Sequence, residues 1–159
     1  MKIQHITYLS LGTNQGNKLK NLQKAIHLID DNIGGIQKIS SVYQTPSWGF
    51  EGEDFFNICI KVSTDQQPEI LLRSLLGIEN ELGRLRSSEK GYQNRKIDID
   101  ILLFDNEIIF SKTLIVPHPK MLDRKFVMIP LAEIAPTEIH PIKKTQLSIC
   151  SQNCEDSSE

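Results

Sequence analysis

Cysteine is scarce: Cys59, Cys150 and Cys154 are the only three in 159 residues. An odd count without framework spacing excludes a disulfide-stapled secreted fold and suits a reducing cytoplasm. Cys150 and Cys154 would share a helix face, but two thiols alone make a poor metal site. No apolar run is long enough to cross a membrane. The first residues carry one early lysine and a short apolar stretch broken by His5, Thr7 and Ser10, which is no signal-peptide core. Excess charge is also missing. A net charge of −2 implies no general attraction to nucleic acid or to a lipid surface. There is no G-x-x-x-x-G-K-[ST] loop, which excludes a P-loop enzyme. No Ser/His/Asp or Cys/His set points to covalent catalysis. Internal repeats are absent as well.

What is present reads as one soluble globular domain over residues 1–150, with 39% hydrophobic and 24% charged residues. Residues 151–159 are polar and acidic, and a disordered tail is expected there. Before that tail, strand and helix signals alternate. Residues 5–11 read as a buried strand, and Gly12 to Gly16 as a loop. Residues 17–31 read as a helix with Leu19, Leu22, Ile26 and Ile29 inward. A strand is expected over 36–43. Over residues 55–63, Phe56, Ile58, Ile60 and Val62 alternate with Phe55, Asn57, Cys59 and Lys61, so the two sets take opposite faces of a strand. A second helix opens near Pro68 and carries Leu71, Leu75, Ile78 and Leu82 inward, with Gly83 as its stop. Residues 96–104 are the last strand. The order β-α-β-β-α-β predicts an α+β, ferredoxin-like sandwich: an antiparallel sheet with helices on one face and an irregular C-terminal extension carrying short helical pieces. The second face must be covered by loops or bind something.

The chemistry concentrates in the last strand. In Lys96-Ile97-Asp98-Ile99-Asp100-Ile101, the carboxylates share one face and the isoleucines the other. Their Cα atoms fall roughly 7 Å apart, twice the strand rise. Such a pair can share two divalent ions, which lie about 4 Å apart in two-metal sites. Oxygen ligands favour magnesium completed by substrate phosphates. Alone, this pattern is also that of a solvated acidic strand face. Its setting is basic, however: Arg84, Arg86, Lys90, Arg95 and Lys96 lie just upstream, opposed only by Glu89. Arginine forks beside metal-binding acids suit a polyphosphate. Phe55 and Asn57 share a strand face, so a flat nitrogen-rich ring could stack on the first and hydrogen-bond to the second. Phe126 and His118, the latter stiffened between two prolines, are further candidates.

Several segments together resemble the 6-hydroxymethyl-7,8-dihydropterin pyrophosphokinase family. They are Leu11-Gly12-Thr13-Asn14, Tyr43-Gln44-Thr45-Pro46, Phe55-Phe56-Asn57, Glu79 to Arg84, Arg95 to Leu102 and Val116-Pro117-His118-Pro119, with Arg124-Lys125-Phe126 beyond. The resemblance covers about residues 5–145. It implies transfer of diphosphate from ATP to a pterin hydroxymethyl group with release of AMP, in folate biosynthesis. It also implies a monomer acting on small molecules in the cytoplasm, with neither nucleic-acid nor membrane partners. Asp98 and Asp100 would hold two Mg2+ ions. Phe55 and Phe126 would sandwich the pterin, read by Asn57 and the backbone around Thr45 and Pro46. Arg84 and Arg95 would be the catalytic cations on ATP, with Lys90, His118 and Arg124 also binding it and Glu79 near the nucleoside. The sequence departs from the family at Gln93-Asn94, where Gly-Pro or Gly-Ala is usual, and at Lys90 and Thr113, where arginine occurs. The stretches 86–93 and 48–54 are expected to act as lids.

Two other readings share this fold. A different magnesium-dependent phosphoryl or nucleotidyl transferase would keep Asp98 and Asp100 without needing the Phe55–Asn57 pair. An RNA-binding module would need exposed aromatics on two adjacent strands and a broadly basic face, whereas a ligand-sensing module would not need Asp98 and Asp100 beside arginines.

Overall fold

The computed structural model describes residues 3–46, 54–83 and 96–155. Four strands form the body of one sheet: β1 (His5–Thr13), β2 (Gly34–Ile39), β4 (Phe55–Thr64) and β5 (Asp98–Phe104). Their order is β2-β4-β1-β5 with every neighbouring pair antiparallel, the ferredoxin-like arrangement. Helices α1 (Lys18–Asn32) and α2 (Pro68–Gly83) pack on one face. Their apolar stripes meet Leu9, Leu11, Ile58, Ile60, Ile99 and Ile101 in the larger core cluster. The Asn17 side chain caps α1 by accepting the Lys20 N–H at 3.1 Å. The inward stripe of α1 is Leu22, Ala25 and Ile29; Leu19, expected inward, is half exposed in the first turn.

The strand expected over 36–43 is divided. A short β3 (Tyr43–Thr45) follows β2, and both lie against the same edge of the long β4. At the break, the Ser40 hydroxyl accepts the Cys59 N–H at 2.9 Å, so a side chain replaces one rung of the ladder. Glu133 then holds the far side of the break. Its carboxylate accepts from the Ser41 N–H, the Ser41 hydroxyl and, at 2.7 Å, the Tyr43 hydroxyl.

The C-terminal extension is more ordered than the sequence suggests. After the small hairpin β6 (Ile109–Phe110) and β7 (Ile115–Val116), it supplies α3 (Lys125–Ile134) and α4 (Leu147–Gln152). These cover the second face of the sheet, where Tyr8, Cys59 and Leu103 meet Val127, Met128, Leu131 and Leu147. The central strands are therefore covered on both sides over much of their length. The boundary expected at residue 150 falls inside α4. Ser151 and Gln152 complete that helix and Cys154 is buried against the second cluster, so order continues through 155. Polar composition misled here because one buried thiol and a helix end suffice to anchor a short segment. All three cysteines are free and buried.

His140, 3% exposed, organises the turn before α4. Its Nδ1 accepts the N–H groups of Ile142 and Lys143 at 3.2 and 3.1 Å. Burial, helped by the Lys143 charge, pushes its pKa below the usual value of 6.5. As pH falls, the unfolded chain therefore takes up this proton first. The stabilisation is complete above the unfolded pKa and is lost as pH drops below it toward the folded value. An asparagine could accept the same two N–H groups without titrating. Melting curves taken from about pH 7.5 down to about 5.5 should thus fall more steeply for the native protein than for His140→Asn. Parallel curves would show that His140 contributes nothing to acid lability.

Candidate active site

One open cavity of about 340 Å³ lies at the end of the sheet where β1, β4 and β5 run side by side. Its position follows from strand alternation. On β1, Leu9 and Leu11 face the helical core, which leaves Ser10 and Gly12 on the other side as the cavity floor. Gly12 pairs with Asn57 of β4 on one flank and with Asp98 of β5 on the other. Ser10 likewise lies between Cys59 and Asp100. The sheet order thus sets the aromatic-amide strand and the acidic strand one β-strand apart.

The β4 flank carries Phe55 and Asn57, with Thr45 and Pro46 from β3 beside them. The Asn57 amide is held by its nitrogen. Nδ2 donates to Thr45 Oγ1 at 3.0 Å and, more weakly, to the Tyr43 carbonyl at 3.5 Å. Asp98 and Asp100 line the β5 flank. Asp98 is exposed and the Asp100 side chain is 44% exposed. Above, the start of α3 contributes Arg124 and Phe126, with the guanidinium carbon 5.4 Å from the ring centre. All five residues expected at a pterin, both expected metal ligands and Arg124 therefore line a single cavity.

His118 stands just outside that lining, its Nε2 3.9 Å from Asp100 Oδ2. A bulge places it there. β1–β5 pairing skips Leu102, and the bulged Leu102 carbonyl accepts the His118 N–H at 3.0 Å. His118 Nδ1 accepts the Lys120 N–H at 3.1 Å. Burial lowers its pKa most; Asp100 opposes that, and Arg124 and Lys120 add to it. The ring is accordingly neutral near pH 7, with Nε2–H as the donor.

Glu79, expected near the nucleoside, sits behind β5 rather than on the cavity wall. It is 3% exposed, and its Oε2 accepts the N–H of Ile99, the residue between the two aspartates, at 2.6 Å. It acts on the site by holding the outer edge of β5. Arg84, Lys90 and Arg95, and most of both stretches expected to act as lids, lie outside the described residues.

The donor set suits magnesium. It consists of two carboxylates on one strand face, open to the cavity; His118 stands 3.9 Å from one of them, and among the described residues no three such side chains form a metal-holding cluster. Magnesium commonly takes one or two carboxylates and fills its remaining positions with water and phosphate oxygens. Ser10 and Gly12 line the cavity although the sequence pattern alone ends the strand at Leu11 and opens a loop at Gly12. The alternation of residues 9–12 was the available signal.

Residues 8–136 match the family described as 7,8-dihydro-6-hydroxymethylpterin-pyrophosphokinase. The chain is 42% identical over 141 residues to the 2-amino-4-hydroxy-6-hydroxymethyldihydropteridine pyrophosphokinase of Aquifex aeolicus, covering 88% of this chain and 86% of that one. It is 41% identical over 134 residues to the Bacillus subtilis protein of the same name, covering 83% and 79%. It also matches the folic acid synthesis protein fol1 of Pneumocystis carinii at 42% identity, spanning 91% of this chain but 19% of that longer protein. A Plasmodium falciparum HPPK-DHPS crystal structure shares the fold, with a TM-score of 0.80 over 96% of this chain and 46% of the other at 16% identity. Both the sequence matches and the arrangement of the cavity lead to one assignment: this chain belongs to the 7,8-dihydro-6-hydroxymethylpterin-pyrophosphokinase family.

Proposed function

We propose that the cavity described above is where this chain transfers diphosphate from ATP to the hydroxymethyl group of 6-hydroxymethyl-7,8-dihydropterin, a step of folate biosynthesis that releases AMP. The observation that carries the assignment of roles is the joint lining of one cavity by Phe55, Phe126, Asn57 and the two aspartates. Phe55 and Phe126 offer flat faces between which a pterin ring can stack. Asn57 and the backbone at Thr45 and Pro46 read the ring edge. That orientation points the hydroxymethyl substituent across the floor toward Asp98 and Asp100.

Asp98 and Asp100 would hold magnesium, as two ions, beside the bound ATP. When bound, the metal neutralises phosphate charge as the bond to the β-phosphorus forms. Arg124, at the mouth of the cavity, binds phosphate oxygens. Neutral His118 donates from Nε2 at the Asp100 end. Arg84, Lys90 and Arg95 complete the set of cations proposed for ATP, with Arg84 and Arg95 as the catalytic pair. Glu79 keeps β5 in register so that both aspartates face the cavity. The hydroxymethyl oxygen attacks the β-phosphorus in line and AMP departs. The chain's contribution is positioning and charge stabilisation.

The three free thiols suit a reducing cytoplasm, and the enzyme works there as a monomer on small molecules, without nucleic acid or membrane. Among the described residues no helix is long and apolar enough to cross a membrane.

AMP release from ATP and magnesium, measured with and without 6-hydroxymethyl-7,8-dihydropterin, tests this function. The expected result is pterin-dependent AMP in equal amount to pterin diphosphate. Saturable ATP binding without AMP would point to another acceptor, and the roles of Phe55, Asn57 and Phe126 would be withdrawn first.

A further inference from the structure

Gly12 has no backbone reason to be glycine. It lies within β1, paired on both sides, and its φ is not among the positive ones. A glycine in a strand costs conformational entropy and packs nothing, so alanine would ordinarily be the better residue. The surroundings are open too. Among the described residues, a Cβ built at Gly12 meets one atom within 4 Å, the Asn57 Oδ1, at 2.9 Å. Among the described residues, an alanine methyl here would collide with no backbone and no core side chain. It would displace only the carbonyl end of one amide.

That amide is set by its other end. Thr45 Oγ1 and the Tyr43 carbonyl both take Nδ2 as donor, which identifies the nitrogen and directs Oδ1 over Gly12. Among the described residues Oδ1 has no hydrogen-bond partner, and no polar side-chain atom is sealed in without one. Oδ1 therefore opens onto the cavity that Asn57 and Gly12 both line. To escape a methyl at position 12 the amide must turn, giving up its bond to Thr45 and moving its free acceptor.

We propose that Gly12 is a positioning residue for substrate recognition. Its missing methyl keeps Asn57 Oδ1 aimed into the cavity as the acceptor for a ring N–H or amino group of the bound heterocycle. This rests on the reading that Asn57 contacts the pterin edge. The glycine is retained for specificity at the expense of strand stability.

Gly12→Ala, Asn57→Ala and the double variant test this, with melting temperature, pterin affinity and ATP affinity measured for each. Gly12→Ala should melt at or above the native temperature. It should lose about fivefold to tenfold in pterin affinity, the effect of one misdirected hydrogen bond, with ATP affinity unchanged. In the Asn57→Ala background the same glycine change should have less than about a twofold further effect, because the two residues act as one unit. Three results overturn the proposal: native pterin affinity in Gly12→Ala, a clear fall in its melting temperature, or an undiminished loss when Asn57 is already alanine. The last would mean that the methyl blocks the ring directly. Native pterin affinity in Asn57→Ala alone would remove the underlying reading, and the proposal with it, whereas a loss there beside an unaffected Gly12→Ala would sink the proposal alone.

Discussion

Asp98→Ala is expected to lower pterin-dependent AMP release about a thousandfold or more, the equivalent of ~4 kcal/mol in the barrier, with the melting temperature nearly unchanged. The two effects separate because of where Asp98 sits. It opens β5 as an exposed residue on the cavity side and belongs to neither core cluster. The strand is held by its neighbours: Ile97, Ile99 and Ile101 pack into the helical core, and the Ile99 N–H is taken by Glu79. Removing an exposed carboxylate two residues from Asp100 also relieves like-charge repulsion, so stability has little to lose. Activity has much to lose, since magnesium would keep one protein carboxylate instead of two. Asp98 is a cleaner test than Asp100, whose loss would also strip His118 of the carboxylate beside it. Turnover within about tenfold of native, at saturating magnesium, would remove Asp98 from the metal site.

Phe126→Ala is expected to weaken pterin binding about 30-fold to 100-fold, roughly 2–3 kcal/mol, through lost area and lost stacking. ATP affinity should move by less than about threefold. Phe126 stands in the first turn of α3, partly packed on the second core cluster and partly lining the cavity. Truncation removes part of the cavity lining and leaves Phe55 in place. It also frees the Arg124 guanidinium from the ring it covers, the one route by which ATP affinity would change under the proposed role of Arg124. Phe126→Leu separates the two contributions. It keeps apolar volume against the cluster but offers no flat face, so its pterin affinity should fall between native and alanine. Equal losses for pterin and ATP in Phe126→Ala would mean that the residue shapes the whole entrance rather than stacking on the ring. Titrating each ligand separately, by calorimetry or fluorescence, decides between these outcomes.

Strand periodicity was the most legible part of the site. Alternation has a period of two whatever the tertiary surroundings, so Phe55 with Asn57, and Asp98 with Asp100, could be assigned to common faces from local sequence. Helix stripes were legible for α2 and less so for α1, where Leu19 continues the spacing but is half exposed. The split at Ser40 was hidden because it depends on a hydroxyl meeting a backbone N–H nineteen residues away. The bulge at Leu102 was hidden for a similar reason: an apolar run gives no sign of which residue is skipped by its partner strand. Glu79 shows the limit for charged residues. In a helix pattern it reads as a polar position, and only packing against β5 reveals a buried carboxylate bonded to the strand that carries the aspartates.

By itself the sequence determined the α+β element order, the facing of each functional side chain along its own strand, and the kinds of chemistry present: paired carboxylates, an aromatic–amide pair and a cluster of cations. These follow from covalent order and local periodicity. The tertiary structure alone decided that β1 lies between β4 and β5, so that a side-chain-free position separates the amide from the acids. It also decided that α3 folds over the second face to bring Phe126 and Arg124 above them. Those are long-range choices. They depend on burying both faces of a central sheet at once, and no window of local sequence contains that free energy.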